Sequence, residues 1–429
     1  MLQTLRNAWK IAELRSKILF TLVIVILYRL GSVIYVPFVS GDLSSALSES
    51  ASVFAYFNIL SGDAFSKATL FALSISPYIT ASIVIQLLTI AIPALERLSK
   101  QGPEGRKKLT QITRYCTVVL ALVTSIGYYF FLKGYGMIDI VPGYEFFQAA
   151  VIVACYCAGA SIIMWLAEKI NEHGIGNGIS IILFANIVAS LPGMIYQSIE
   201  MAKAGGAAIL IPVITILLLV AMIIFVVFVT NAERRLPVQY AKRQVGRRMY
   251  GGQNTFIPMK LNMSGVMPII FASSIASIPA TIALIFPVDQ NDPGVWGAIV
   301  NFFSPQSAFY MVVYFLLIVA FAYFYLAISF NPVEVANNLK NNGGSVPGIR
   351  PGKPTVDYIK KILGRITLIG AIFLGIVAVL PLIAGVIDSR FSAIAFGGSS
   401  LLILVSVAIE TVKEIEAQMT MRHYKGFLE

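Results

Sequence analysis

Residues 233–248 read ERRLPVQYAKRQVGRR, with six Lys/Arg against one acid. On either side the chain turns apolar, from Ile209 to Val229 before the block and from Gly265 to Phe286 after it. Each flank is long enough to cross a bilayer, since about 20 helical residues span about 30 Å of hydrocarbon. A basic block between two spans marks a cytoplasmic loop. This one is too long and too charged for a mere connector, so it reads as a candidate docking surface.

Composition supports that reading. The chain has 429 residues, 57% hydrophobic and 12% charged. Soluble chains carry about 25% charged residues. A polytopic membrane protein, built as one integrated bundle, is therefore expected. The amino end, with Arg6, Lys10, Arg15 and Lys17, reads as a retained cytoplasmic segment rather than a cleavable signal. Cys116, Cys155 and Cys157 lie in or beside apolar runs. An odd number so placed argues against a disulfide framework or a zinc site. His173 and His423 are far apart, which argues against a His-based metal or triad site. We expect no metal and no cofactor.

Apolar runs predict ten spans, near 18–36, 76–92, 112–132, 148–166, 178–195, 209–230, 265–286, 308–330, 366–383 and 398–415. Charge tests the number. With both termini in the cytoplasm, the inner side holds 27 Lys/Arg and 12 Asp/Glu, the outer side 4 and 9. Only Arg29 is left over, inside the first span. That asymmetry obeys the positive-inside rule, and one span more or fewer would scramble it. The longest cytoplasmic loops are 231–262 and 331–361. They follow the sixth and eighth spans, which suggests two five-span halves, 1–195 and 196–429. Five is odd, so the halves would be inverted, with a pathway between them near the midplane.

Three segments bear on mechanism. The first is 57–75, FNILSGDAFSKATLFALSI, too short and too polar to span. It suits either a re-entrant half-helix that fills a cavity or an external loop with a surface helix. The second feature is what the spans lack. Apart from Arg29 and Glu410, none holds an ionisable residue firmly inside it. Ion-coupled transporters need exchangeable buried charge, so a proton- or sodium-driven pump is disfavoured. Arg29 reads as structural, facing the bundle rather than snorkelling outward, and Glu410 as an interfacial charge. The third is PGIRPGKPT, 347–355. A phosphate loop needs Gly, four residues, then Gly-Lys-Ser/Thr. Pro347 stands for the first Gly, and Pro354 removes an N–H where phosphate would be cradled. Nucleotide binding is rejected; a stiff tip projecting Arg350 and Lys353 fits better.

Several stretches now resemble one family. They are FNILSGDAFSKATLFALSISPYITASIVIQLLT (57–89), MWLAEKINEHGIGNGISIILF (164–184), QYAKRQVGRR (239–248), NMSGVMPIIFASSI (262–275), FNPVEVANNLKNNGGSVPGIRPGKPT (330–355) and FGGSSLLILV (396–405). In this order they resemble the SecY family, the channel subunits of Sec translocons. The resemblance implies an all-α membrane fold of ten helices in two inverted pseudo-symmetric halves, with a re-entrant plug helix at about 58–72. It implies a pore ring of Ile79, Ile83, Leu183, Ile270 and Ile403, with Leu183 standing where relatives often carry Ile. Ile79 and Ile83 are four apart, so they share one helical face. An apolar constriction limits ion leak by dewetting.

The same resemblance implies a plug packed through Asn58, Ser61, Gly62 and Ala64. It implies a lateral gate between the second and third spans and the seventh and eighth, with Gln86, Ser273 and Ser274 as its polar residues. Gly265, Pro268 and Pro279 would let the seventh span bend. Arg243, Arg247, Arg248, Arg350 and Tyr424 would dock the ribosome or the SecA motor, and ribosomal RNA is a polyanion that such arginines suit. Small SecE and SecG subunits, signal sequences, nascent chains and the lipid bilayer complete the expected partners, in a bacterial plasma membrane. The expected function is a passive polypeptide channel that also releases hydrophobic helices sideways into lipid. The alternative is a secondary transporter or lipid scramblase with inverted repeats. No catalytic cluster is evident, so an enzyme is not expected.

Overall fold

The computed structural model describes residues 2–41, 43, 58, 60–203, 210–240, 243–245, 248–250, 254–263, 265–285, 294–304, 307–387 and 398–425. Two helices open the chain, α1 (Leu2–Lys10) and α2 (Ala12–Gly31). After the segment that ends at Ile75 come α3 (Ser76–Ala91), α4 (Pro93–Lys100), α5 (Pro103–Gly134), α6 (Glu145–His173), α7 (Gly178–Lys203) and α8 (Leu210–Asn231). Strands β1 (Glu233–Tyr240), β2 (Arg243–Val245), β3 (Arg248–Tyr250) and β4 (Asn254–Lys260) follow. Then come α9 (Met267–Ala276), α10 (Ile278–Ile285), α11 (Gly294–Phe302), α12 (Ala308–Ser329), α13 (Pro332–Asn341), β5 (Gly344–Ser345), α14 (Lys353–Ile387) and α15 (Gly398–Lys425).

Each of the ten apolar runs falls on helix. Among the described residues, five helices are long and apolar enough alone to cross a membrane, six if α3 and α4 form one bent span. The other spans are shorter, broken or end in charge. Breaks have local causes. Between α3 and α4 the chain bends by 101° at Ile92, just before Pro93. A residue before proline is pushed out of helical backbone. The seventh span breaks at Ser277, where Pro279 has no N–H for the Ile275 carbonyl. Of Gly265, Pro268 and Pro279, the residues expected to let this span bend, Pro279 lies beside this break.

Burial is inverted relative to a soluble protein. Leu22, Val23, Ile26, Leu27 and Leu30 on α2 are exposed, as are Ile216, Leu217, Ile224 and Phe228 on α8. Apolar surface on this scale needs lipid rather than water against it. Some helices are longer than their apolar runs. Between α5 and α6, Arg114 Nη2 lies 2.8 Å from Glu168 Oε2, whose side chain is buried. At the exposed surface, Lys100 Nζ donates to Glu96 at 2.6 Å and Lys169 Nζ to Glu172 at 2.7 Å. Those donated hydrogen bonds hold both carboxyls below the usual range.

The basic block is sheet rather than open loop. β1 pairs antiparallel with β4 and with β5, giving the order β4-β1-β5. The alternation in RRLPVQY explains it, since Leu236 and Val238 point inward while their neighbours face water. They pack with Met259, Ala336, Leu339, Val346, Ile359 and Leu363, so the two long loops, 231–262 and 331–361, share one core. Asn331 caps α13, its Oδ1 accepting from Val333 N at 3.2 Å. Leu236→Ala should cost the module about 2–4 kcal/mol by leaving a cavity. Faster tryptic cleavage within 241–253 is the expected readout. Unchanged digestion would contradict a shared core.

Candidate functional site

Where α3, α7, α9 and α15 converge, five aliphatic side chains meet in one buried cluster. Ile79, Ile83, Leu183, Ile270 and Ile403 are each at most 3% exposed. Four of them, all but Ile83, line a cavity of about 280 Å³. Leu60, Phe65, Ala72 and Leu73 from the preceding segment line the same space. The cavity runs on along Thr80, Thr124, Ser274, Ser277 and Thr281. That wall is the seam where α9 packs on α3 and α10 packs on α5. The aliphatic ring itself offers no hydrogen bonds and little reason for water to stay, whereas the seam wall carries hydroxyls.

The segment ahead of α3 is folded back into the protein. Helix is present at Asn58, Leu60 and Ser61, and successive turns run from there to Ile75. Its polar residues bond to their own backbone. Asn58 Oδ1 accepts from Ser66 N at 3.0 Å, and Asn58 Nδ2 donates to Asp63 Oδ1 at 3.0 Å. Ser61 Oγ accepts from Phe65 N at 2.9 Å. Such bonds compete with helix, which explains why helix gives way to turns after Ser61. Ser61 and Ala64 are buried, so an exposed external loop does not describe this segment.

The surrounding spans reach in to hold it. Asn186 Nδ2, on α7, donates to Leu60 O at 2.7 Å. Arg29 Nη1 reaches Asn186 Oδ1 at 3.4 Å, so Arg29 faces the bundle and meets an amide rather than backbone carbonyls. Tyr128 and Tyr156 donate to carbonyls of the segment. Gly159 lets α6 approach, because a side chain there would strike the Leu70 carbonyl. Gly62 has φ +62, and a Cβ would lie 2.9 Å from Arg29 Nη1. Gly62→Ala should therefore loosen the seated segment by about 1 kcal/mol or more. A severalfold rise in closed-state ion leak is expected, and an unchanged leak would count against tight seating.

Ser273 and Ser274 sit at the seam, and the hydrogen bonds of all three expected gate residues stay within their own helices. Ser273 Oγ and Ser274 Oγ both donate to Ile270 O, at 2.9 and 2.8 Å. Gln86 Nε2 donates to Ser82 Oγ at 3.2 Å, on its own helix, and does not line the cavity. These bonds therefore survive parting of the helices.

Arg350 is exposed, and its carbonyl accepts from Thr355 Oγ1 at 2.8 Å. Arg243 and Arg248 lie on the β2–β3 hairpin, paired with Tyr250 and Val245. Arg247 falls outside the described residues, and Tyr424 lies on α15. Among the described residues no His, Cys, Asp or Glu cluster has the arrangement of a metal site. Sequence reading missed Asn186, Tyr128 and Tyr156. An Asn inside an apolar span was the available signal for the first; the tyrosines look like ordinary core aromatics.

A ring of aliphatics, a folded-back segment beneath it and a seam between spans together define a gated membrane channel. The SecY family profile matches residues 69–412, so the chain belongs to the SecY family. It is 43% identical over 441 residues to the protein translocase subunit SecY of Streptomyces galbus, covering all of both chains. The SecY of Mycobacterium tuberculosis strain H37Rv is 41% identical over 448 residues, again over the full length of both. Among solved structures, a protein-conducting channel aligns over 94% of this chain and 92% of its own, with a TM-score of 0.66 at 17% identity. A SecY structure whose plug domain stabilises the closed channel and maintains a membrane seal has a TM-score of 0.67 with the same coverage. Canine Sec61 from a ribosome–channel complex gives 0.63 at 16% identity, over 94% of this chain and 92% of its own. The protein is thus a multi-pass membrane protein.

Proposed function

We propose that this chain is the protein-conducting channel of a bacterial Sec translocase, not an enzyme. It passes unfolded secretory polypeptides through the centre of one chain and releases hydrophobic helices sideways into lipid. The observation that carries this reading is the single cavity shared by the apolar ring, the folded-back segment and the seam. The segment acts as the plug, through Asn58, Ser61, Gly62 and Ala64. The seam of α3 and α5 with α9, α10 and α12 is the lateral gate, and the halves are 1–195 and 196–429. Parting the seam exposes an apolar signal sequence to lipid, and partitioning gains about 25 cal/mol per Å² of apolar area. Hydrophobicity alone then sorts membrane helices from secreted chains.

The protein sits in the bacterial plasma membrane with both termini in the cytoplasm. SecE and SecG accompany it. The ribosome and the SecA motor dock on the basic module through Arg243, Arg247, Arg248, Arg350 and Tyr424, and energy comes from them or from the membrane potential. The test is reconstitution with SecE and SecG in vesicles, adding SecA, ATP and a presecretory protein. ATP-dependent protection of the substrate from protease is the expected result. Lipid flipping or solute uptake without protected substrate would favour the scramblase or transporter instead.

A further inference from the structure

We propose that Tyr128 and Tyr156 are the residues that hold the plug seated, as a two-point clasp on its backbone. The inference rests on the plug reading above. Tyr128, on α5, donates its hydroxyl to Phe65 O at 2.6 Å. Tyr156, on α6, donates to Ala68 O at 3.0 Å. Both tyrosines are 0% exposed. Their rings meet edge-on at 4.9 Å, and Phe65 lies 4.8 Å from Tyr128. Around them pack Val36, Leu43, Leu132, Met137 and Ile152.

Three features make the hydroxyls more than packing. First, the seat is apolar, so a carbonyl that loses its donor there finds no ready substitute. Second, the plug's turns are strained. Asp63, Ala68 and Ser74 have φ of 68, 48 and 51, a region that costs an L residue roughly 1–2 kcal/mol. Such backbone persists only where its surroundings over-determine it. Ala68, which pairs with Tyr156, has no side-chain oxygen to stabilise the turn itself. Third, the bonds are one-sided. Those from Tyr128, Tyr156 and Asn186, and that from Leu70 N to Ile34 O, all end on residues before 196. Across the cavity the plug meets Ile270 and Ile403, which are apolar. When α9 and α10 part from α3 and α5, the clasp stays closed. Gate opening and plug release are then separate steps, the second driven by the passing chain.

The test uses the full complex in vesicles, with the three native cysteines replaced and Ala64→Cys introduced. Ala64 is 1% exposed. A membrane-impermeant maleimide is added from the outer side. Tyr128→Phe and Tyr156→Phe keep the rings and remove only the hydroxyls. Each should speed labelling about fivefold, and the pair about 25-fold. A signal peptide that opens the gate should leave the cysteine protected in the unsubstituted clasp and exposed in the double variant. Equal exposure in both would overturn the separation of steps. A control cysteine at Ala322, buried in α12, should stay unlabelled throughout; labelling there would mean general loosening and overturn the assignment. Unchanged labelling in both Phe variants, with a large ion leak on deleting 60–68, would overturn the clasp and keep the plug. A tight channel after that deletion would overturn the plug reading itself.

Discussion

Asparagine in place of Ile403 is expected to raise ion conductance through the resting channel by about 10- to 100-fold. Ile403 is 1% exposed and packs among Ile79, Leu183 and Ile270. An amide there has no ready hydrogen-bond partner in the closed ring. Burying it unpaired costs about 1–3 kcal/mol, and that cost falls on the closed state alone, because water reaches the ring when it opens. The same shift should let substrates with defective signal sequences pass, since a channel already biased open needs less binding energy to commit. Single-channel recording on planar bilayers and an export assay with a signal-defective substrate are the two measurements. Unchanged leak and unchanged selectivity would mean that Ile403 is ordinary core.

Arg350→Glu should reduce SecA-driven export by about tenfold or more while leaving the fold intact. Its side chain projects into water, and surface substitutions usually stay within about 0.5 kcal/mol of stability. The bond from Thr355 reaches the Arg350 carbonyl, which any residue supplies. What changes is the charge presented to a partner, reversed beside Ile349, which packs on the core of the β4-β1-β5 sheet. ATP-driven translocation into vesicles, with melting temperature as the control, decides it. Normal translocation would remove Arg350 from the docking surface.

The sequence made the membrane architecture legible because its physics is local. Twenty apolar residues are enough to span, so ten segments followed from the pattern of apolar runs. The ring was legible only by resemblance, since Ile79 or Ile403 alone is indistinguishable from a core aliphatic. The β4-β1-β5 sheet was hidden because its core partners, Leu236 and Val346, are more than a hundred residues apart and its strands are short. The plug's turns were hidden for a related reason. Asn58 and Ser61 accept from the Ser66 and Phe65 amides, and Tyr128 and Tyr156 donate to the Phe65 and Ala68 carbonyls. Those choices are made by the tertiary seat rather than by the segment.

The central claim is that a polypeptide passes through the ring at the centre of this one chain. Photo-crosslinking tests it most directly, with a probe placed in turn at Ile79, Ile270, Ile403, Leu217 and Phe228 and a secretory chain stalled in transit. Crosslinks from the three ring positions to the same stalled chain are the predicted result. Crosslinks confined to the lipid-facing Leu217 or Phe228, with none at the ring, would contradict it.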